Sequence, residues 1–413
     1  MSIWESLRPS SGRSAAVATG LLLIASHAAL AGPPVSGNAY VQTNLVSDIA
    51  GVAAVTDPNL INPWGISASA SSPMWVSDNG TGLSTLYSGA GVVEGLVVTI
   101  PPPAGGMGPS APTGTVFNGT TSFQVGGVPA HFLFSTEDGT IAGWASGTTA
   151  VLTVDNSSSG AVYKGLAMGM GDQGPLLYAT NFNAGTVDIF DGSFNQIVAP
   201  GNFTDWSIPP GYAPFGIMTT PDNNVIVTYA LQDDAAHDDV AGFGHGYVDE
   251  FDANGGFIRR LASGGALDSP WGLAIAPAGF GDFAGALLVG NFGDGRINAY
   301  DLAGSMGSAA PALRASIRGR HLDGFGSDFG FGFFPNFGEL RFLDSLRDSD
   351  GHPLTNLGLW ALHFGTGAGA GGSATSLYFT AGIPGSLGTL DLLEQHGLFG
   401  VINPFVAAPA AKK

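Results

Sequence analysis

The chain has no cysteine in 413 residues, so it has no disulfide framework, no thiolate nucleophile and no thiolate metal site. Charge is scarce as well. Asp, Glu, Lys and Arg make up 11% of the sequence, against about 25% in an ordinary soluble protein. The little charge present leans acidic, 32 Asp and Glu to 13 Lys and Arg, for a net −19. A surface of that sign repels phosphate backbones, which argues against nucleic acid as a partner. Beyond residue 31 no apolar stretch reaches the length of a membrane-spanning helix without Gly or polar breaks, so no membrane anchor is expected. A GxSxG elbow, an HExxH pair and EF-hand spacing are all missing. Runs such as GMGDQG from Gly169 lack the strand-to-helix context of a dinucleotide site.

Turn formers and aromatic rings are abundant instead. There are 65 Gly and 26 Pro, but also 26 Phe and 7 Trp, which is ample material for a packed core rather than a disordered chain. At the N-terminus Arg8 and Arg13 precede the apolar run Ala15–Ile24, and Ala29-Leu30-Ala31 supplies small residues suited to a signal peptidase. Residues 1–31 are therefore expected to be a secretory signal cleaved near Ala31, giving a secreted or periplasmic product of net charge −20.

A phrase of the form aromatic-Gly-aliphatic recurs along the rest of the chain. Its copies are NPWGIS from Asn62, PTGTVF from Pro112, YKGLAM from Tyr163, PFGIMT from Pro214, PWGLAI from Pro270 and LWALHF from Leu359. Gly65, Gly114, Gly165, Gly216 and Gly272 step by about fifty residues, and Ala361 stands in the sixth place after a longer step. Each copy precedes a second β-rich phrase with a polar turn, such as MWVSDNGTGLSTLY from Met74 and LLYATNFNAGTVDIF from Leu176. A unit of about fifty residues with period-two patterning is one blade of a β-propeller. The prediction is all-β: a six-bladed β-propeller with four-stranded blades over residues 32–405. The sixth unit runs out at Ile402 without a fourth strand, and YVQTNLV from Tyr40 is free to supply it and close the ring. An insertion near 306–338, rich in Gly and Phe, explains the long step, and residues 406–413 read as a disordered tail.

The phrases HDDVAGFGHGYVDEFD, SPWGLAIAPAGFGDFAGALLVGNFGDGRINAYD and GLWALHFG, with LYFTAGI and GLFGVI, resemble an uncharacterised family of bacterial exported proteins. That family is associated with the PEP-CTERM/exosortase sorting system and is similar to propellers of the NHL-repeat type. The resemblance covers roughly Tyr40 to Asn403 and implies a fold and an export route but no activity. The Pro-Glu-Pro sorting tail of that family is missing here.

In such a blade, the turn leading into the inner strand and the turn between the second and third strands share one face, around the mouth of the central channel. The first ring of turns brings Trp64, Lys164, Phe215, Trp271 and Trp360 there, a candidate aromatic platform for a sugar or apolar ligand, with Lys164 able to fix an anionic group. Wedging of these rings between blades is the plain alternative. The second ring supplies Asn79, Glu137, Asn181 and Asn291, oxygen ligands suited to Ca²⁺ or another divalent cation, although Asp and Asn also favour turns for their own sake. The loop QDDAAHDDVAGFGHG from Gln232 is the densest chemical cluster; Asp233, Asp234, His237, Asp238, Asp239 and His245 are its metal-ligand candidates, His237 and Asp238 first among them. The leading expectation is a monomeric binding or scaffolding module for a carbohydrate or an extracellular protein, with no catalytic residue assigned. The alternative is a metal-dependent hydrolase or lyase of the six-bladed propeller type.

Overall fold

A computed structural model describes residues 38–302, 338–385 and 393–406. The expected signal, most of the insertion and nearly all of the tail lie outside these. The described chain forms six blade sheets and a separate two-stranded hairpin, Gln124–Val125 with Val128–Pro129; each blade begins with the strand that carries the recurring phrase. Blade 1 comprises Pro63–Ser67, Met74–Asp78, Leu83–Tyr87 and Val98–Thr99, from the inside outwards. Blade 2 comprises Pro112–Phe117, Phe132–Thr136, Thr140–Trp144 and Val151–Asp155. Blade 3 runs Tyr163–Gly171, Gly174–Asn181, Thr186–Asp191 and Gln196–Ile197, and blade 4 Tyr212–Thr219, Val225–Leu231, Tyr247–Phe251 and Phe257–Ser263. Blade 5 holds Pro270–Ile275, Leu287–Asn291, Ile297–Tyr300 and Phe342–Ser345, with the insertion between its third and outer strands. The fold is a six-bladed β-propeller.

Blade 6 is assembled from both ends of the sequence. Leu359–Phe364, Leu377–Ala381 and Leu398–Pro404 are followed by Tyr40–Ser47 as the fourth strand, with the two-residue Val55–Thr56 paired parallel beyond it. Tyr40 pairs with Pro404, and Gln42 with Ile402, so the closure expected from the unfinished sixth unit is present. It removes the exposed edge that an open ring would leave.

The recurring glycines were read as turns before the inner strand, but they lie within it, where the pairing with the second strand slips in every blade. Two physical causes act there. The first is space: a Cβ on Gly216 would run into the Trp271 carbonyl of the neighbouring blade, so only glycine lets two inner strands approach so closely. The second is a hydroxyl staple. Thr228 Oγ1 accepts the Gly216 N–H at 2.8 Å and donates to the Pro270 carbonyl of blade 5 at 2.6 Å. Thr180 does the same for Gly165 and Phe215, and Thr380 for Ala361 and Trp64. One buried side chain thus satisfies the amide freed by the bulge and ties its blade to the next.

Between blades the flat sheet faces meet in apolar clusters. Leu133, Leu166 and Phe190 fill the seam between blades 2 and 3, Val227 and Tyr178 that between 3 and 4, and Leu288 and Phe379 that between 5 and 6. The seam between blades 6 and 1 merges with a cluster on the ring axis, and that cluster sets the shape of the functional site.

Candidate site at the plugged mouth of the channel

Each of the six inner strands begins at the same face, and the large side chains near those starts converge on the axis. Trp64 and Trp360 stack with ring centroids 3.4 Å apart, and Phe292 stacks on Trp360 at 4.2 Å. Trp271 meets both tryptophans edge-on at about 6 Å, and Phe215 packs against Trp360 at 5.9 Å. Trp64 and Trp360 are each 1% exposed, Phe215 0% and Trp271 9%. These rings form a plug that closes the channel at this face. The expected aromatic platform is therefore not an open surface: Trp64, Phe215, Trp271 and Trp360 spend their faces on one another.

Above the plug runs a continuous polar network. Trp360 Nε1 donates to Asn62 Oδ1 at 3.1 Å, Asn62 Nδ2 to Asn79 Oδ1 at 3.2 Å, and Asn79 Nδ2 to Glu137 Oε2 at 2.8 Å. The other Glu137 oxygen takes the Lys164 ammonium, which also reaches Asp238 Oδ1 at 3.3 Å. Asp238 is held in turn by His237 Nδ1 at 2.9 Å. Lys164 is 1% exposed and lies 5.2 Å over the Trp64 ring, so the plug and its cation are packed as one unit. Burial works against the Lys164 charge, but Glu137 and Asp238 outweigh it and hold its pKa above the ordinary value.

The carboxyls around Lys164 fall into two classes. Asp238 is pulled below its ordinary range because Lys164 and His237 outweigh the cost of its partial burial. Asp239 is pushed up to about 6, chiefly by burial, against the pull of Lys164. Glu394, on the second-to-third-strand loop of blade 6, is pushed up to about 8 by burial and then by Glu137, with Lys164 opposing. The residue as a whole is exposed, and its carboxyl shares a recess with Glu137, Lys164, Asp238 and Asp239, whose charges act on it. Its backbone is left-handed, at φ 69°, a conformation Glu seldom adopts and which the surroundings must enforce.

Glu137, His237 and Asp238 each bring one ligand atom within 4.8 Å of the others, a mixed carboxylate and imidazole set suited to a divalent cation. The Lys164 ammonium is bonded to the same two carboxylates, so an ion and this lysine compete for them. The predicted oxygen ring is only partly assembled. Asn79 and Glu137 meet, whereas Asn181 Nδ2 donates to Asp188 of its own blade and Asn291 Nδ2 to Asp294 and the Ala266 carbonyl. Asn181 and Asn291 serve their own turns, the local role that Asn favours. Asp239 lies beside the cluster rather than in the three-ligand group.

No family model matches the chain. Among solved structures, virginiamycin B lyase from Staphylococcus aureus covers 89% of this chain and 99% of its own, at 12% identity and TM-score 0.39. A PQQ-bound aldose sugar dehydrogenase from Streptomyces coelicolor covers 90% and 100%, at 12% identity and 0.44, and a gluconolactonase from Xanthomonas campestris 91% and 98%, at 16% and 0.39. Identities this low speak to the fold alone. Sequence relatives are nearer. The uncharacterised protein L690 of Acanthamoeba polyphaga mimivirus is 34% identical over 282 residues, 63% of this chain and 71% of L690. The chain belongs to the family of L690. Protein R648 of the same virus is 34% identical over 274 residues, and R640 is 33% identical over 205. The chain spans 66% of R648 and 35% of R640. These relatives are viral, not the bacterial exported proteins that the long phrases resemble.

Two members of the site escaped sequence reasoning. Asn62 carries the link from the plug to the carboxylates, yet it reads as an ordinary residue before Pro63. Glu394 stands three residues before Gly397, in the sixth copy of the turn that holds Glu137 in the second. Counting that ring through to the last blade would have found it.

Proposed function

We propose that the protein is an acid–base enzyme, a hydrolase or lyase, working in the acidic recess above the plug. The observation that carries this reading is a pair of carboxyls, in one recess, driven apart in pKa: Glu394 up to about 8 and Asp238 below its ordinary value. Such a pair assigns its own roles. Glu394 is protonated at neutral pH and reachable from solvent, which suits a proton donor to a leaving group. Asp238, ionised and backed by His237, suits the acceptor. Lys164 is a fixed positive charge under both.

A divalent cation fits Glu137, His237 and Asp238 by donor type and spacing. When bound it would supply a polarised carbonyl or a water of lowered pKa. The test is turnover of a panel of lactones, esters and uronate-containing glycans across pH 5 to 9. Activity that falls above about pH 8 and drops on the order of 10²-fold or more in a Glu394→Gln variant that keeps the native fold by circular dichroism supports the assignment. Activity indifferent to Glu394→Gln sinks it.

A second reading has its own observation. Trp206 and Phe243 are 94% and 85% exposed; Phe243 lies in the blade 4 loop on the mouth face, and Trp206 in the connection from blade 3 to blade 4, between Asp205 and Ser207, which bond Arg260 of the outer strand. Rings presented to solvent suit capture of a carbohydrate or a protein partner without chemistry. A glycan array separates the two, because binding lost in Trp206→Ala and retained in Glu394→Gln belongs to the surface and not to the recess. Export across a membrane after cleavage near Ala31 is part of this proposal, tested by N-terminal sequencing of the mature product.

A further inference from the structure

The plug leaves the rest of the channel as a blind well that opens on the opposite face. Its cavity is about 550 Å³ and is walled by the inner strands of all six blades. That volume lies within the range of sites that take drug-sized ligands. Trp271 contributes to its floor, and Ile66, Met168, Met218, Leu273 and Phe364 are among its walls. The wall contains no Asp, Glu, Lys or Arg. In a chain of net charge −19 this is a sharp contrast with the recess on the other face.

The few polar groups of the wall are short of partners. Thr115 is 6% exposed, and its Oγ1 has no hydrogen bond among the described residues; the same holds for Thr219 Oγ1 and His363 Nδ1. These residues belong to blades 2, 4 and 6, and all three atoms are sealed from solvent, so the surface the wall turns to the well is more apolar than its residue types suggest. Burial pushes the His363 imidazole down to about 4, which leaves the wall uncharged at neutral pH.

The geometry points to a second ligand site: the well binds one neutral, predominantly apolar small molecule. An ion entering it would shed its hydration against a wall with no counter-charge, at a cost that excludes it. A neutral apolar molecule releases water from apolar surface instead. The site lies on the opposite face from the acidic recess and is independent of the function proposed for that recess.

The test is titration of the full chain with the neutral fluorophore N-phenyl-1-naphthylamine, read by enhancement of its emission. Two variants address the well. Ala68→Trp fills it, and Phe117→Asp places a charge on a wall residue that is already 36% exposed, so at least one should keep the native melting temperature. The expected result is saturable binding at one molecule per chain, weakened at least tenfold in each folded variant and unchanged in Phe243→Ala. No saturable enhancement in the wild type overturns the proposal. So does full binding in the folded variants, or loss of binding in Phe243→Ala, which would place the fluorophore on the mouth face.

Discussion

Replacing Thr228 by Val isolates the staple between blades 4 and 5, because the two side chains have nearly the same shape and differ only in the hydroxyl. That hydroxyl holds the Gly216 N–H at 2.8 Å and the Pro270 carbonyl at 2.6 Å, and Thr228 is fully buried. Valine leaves both backbone groups buried without this partner, at about 1–3 kcal/mol each. The desolvation of the lost hydroxyl is recovered in part, so the net cost is about 2–4 kcal/mol. At about 2.1 cal/mol/K per residue, the described chain has an unfolding entropy of about 0.7 kcal/mol/K, which turns that cost into a fall in Tm of roughly 3–6 °C. Calorimetry reads the shift, and guanidinium titration at unchanged m-value confirms that only stability moved. Thr228→Ser keeps the hydroxyl and should lie closer to the wild type than Thr228→Val. A Tm fall below 1 °C in Thr228→Val, or a serine variant as weak as the valine one, would refute the staple as a stabilising device.

Trp360→Ala removes the ring between Trp64 and Phe292 together with the Asn62 bond; about 3–5 kcal/mol of stability should go with it, measured by chemical denaturation. The Glu394 pKa is higher folded than unfolded, so its share of stability is complete below about pH 4.5 and is lost as pH rises through about 8. Glu394→Gln should flatten the Tm-against-pH curve across that window, and an unchanged curve would place Glu394 outside the recess. Lys164→Met frees Glu137 and Asp238 from their resident ammonium, so calorimetric titration with Mn²⁺ or Zn²⁺ should show at least tenfold tighter binding than in the wild type. Equal affinity would mean that the ion does not use those carboxylates.

The architecture was legible because each blade repeats the same solution to the same packing problem. A glycine where neighbouring inner strands nearly touch, an aliphatic residue after it and a polar turn two strands on are local requirements, and local requirements leave periodic marks. The fate of the aromatic residues was not legible in the same way. Whether Trp64 faces solvent or the axis depends on how many other large side chains arrive there, and Phe182 and Phe292 arrive from turns that carry Asn79 and Glu137 in blades 1 and 2. The oxygen ring failed at Asn181 and Asn291 for a related reason. One residue type serves a turn or a ligand equally well, and only the partner within reach decides. Lys164 stood out in the sequence as a rare cation at the mouth; what could not be read was that Glu137 and Asp238, more than twenty and seventy residues away, would close on it.

The clasp in blade 6 also orders events in time. The Ser47 hydroxyl donates to the carbonyl of Gly397, 350 positions later, and the strand that starts the described chain finds its ladder partner only when Leu398–Pro404 is available. During synthesis the edge of the first strand that meets Leu398–Pro404 therefore stays unpaired while five blades are made, and no intermediate lacking that last strand can hold a finished ring. A chain so arranged stays threadable until its last strand emerges, and only then locks into a shape that no narrow pore would pass.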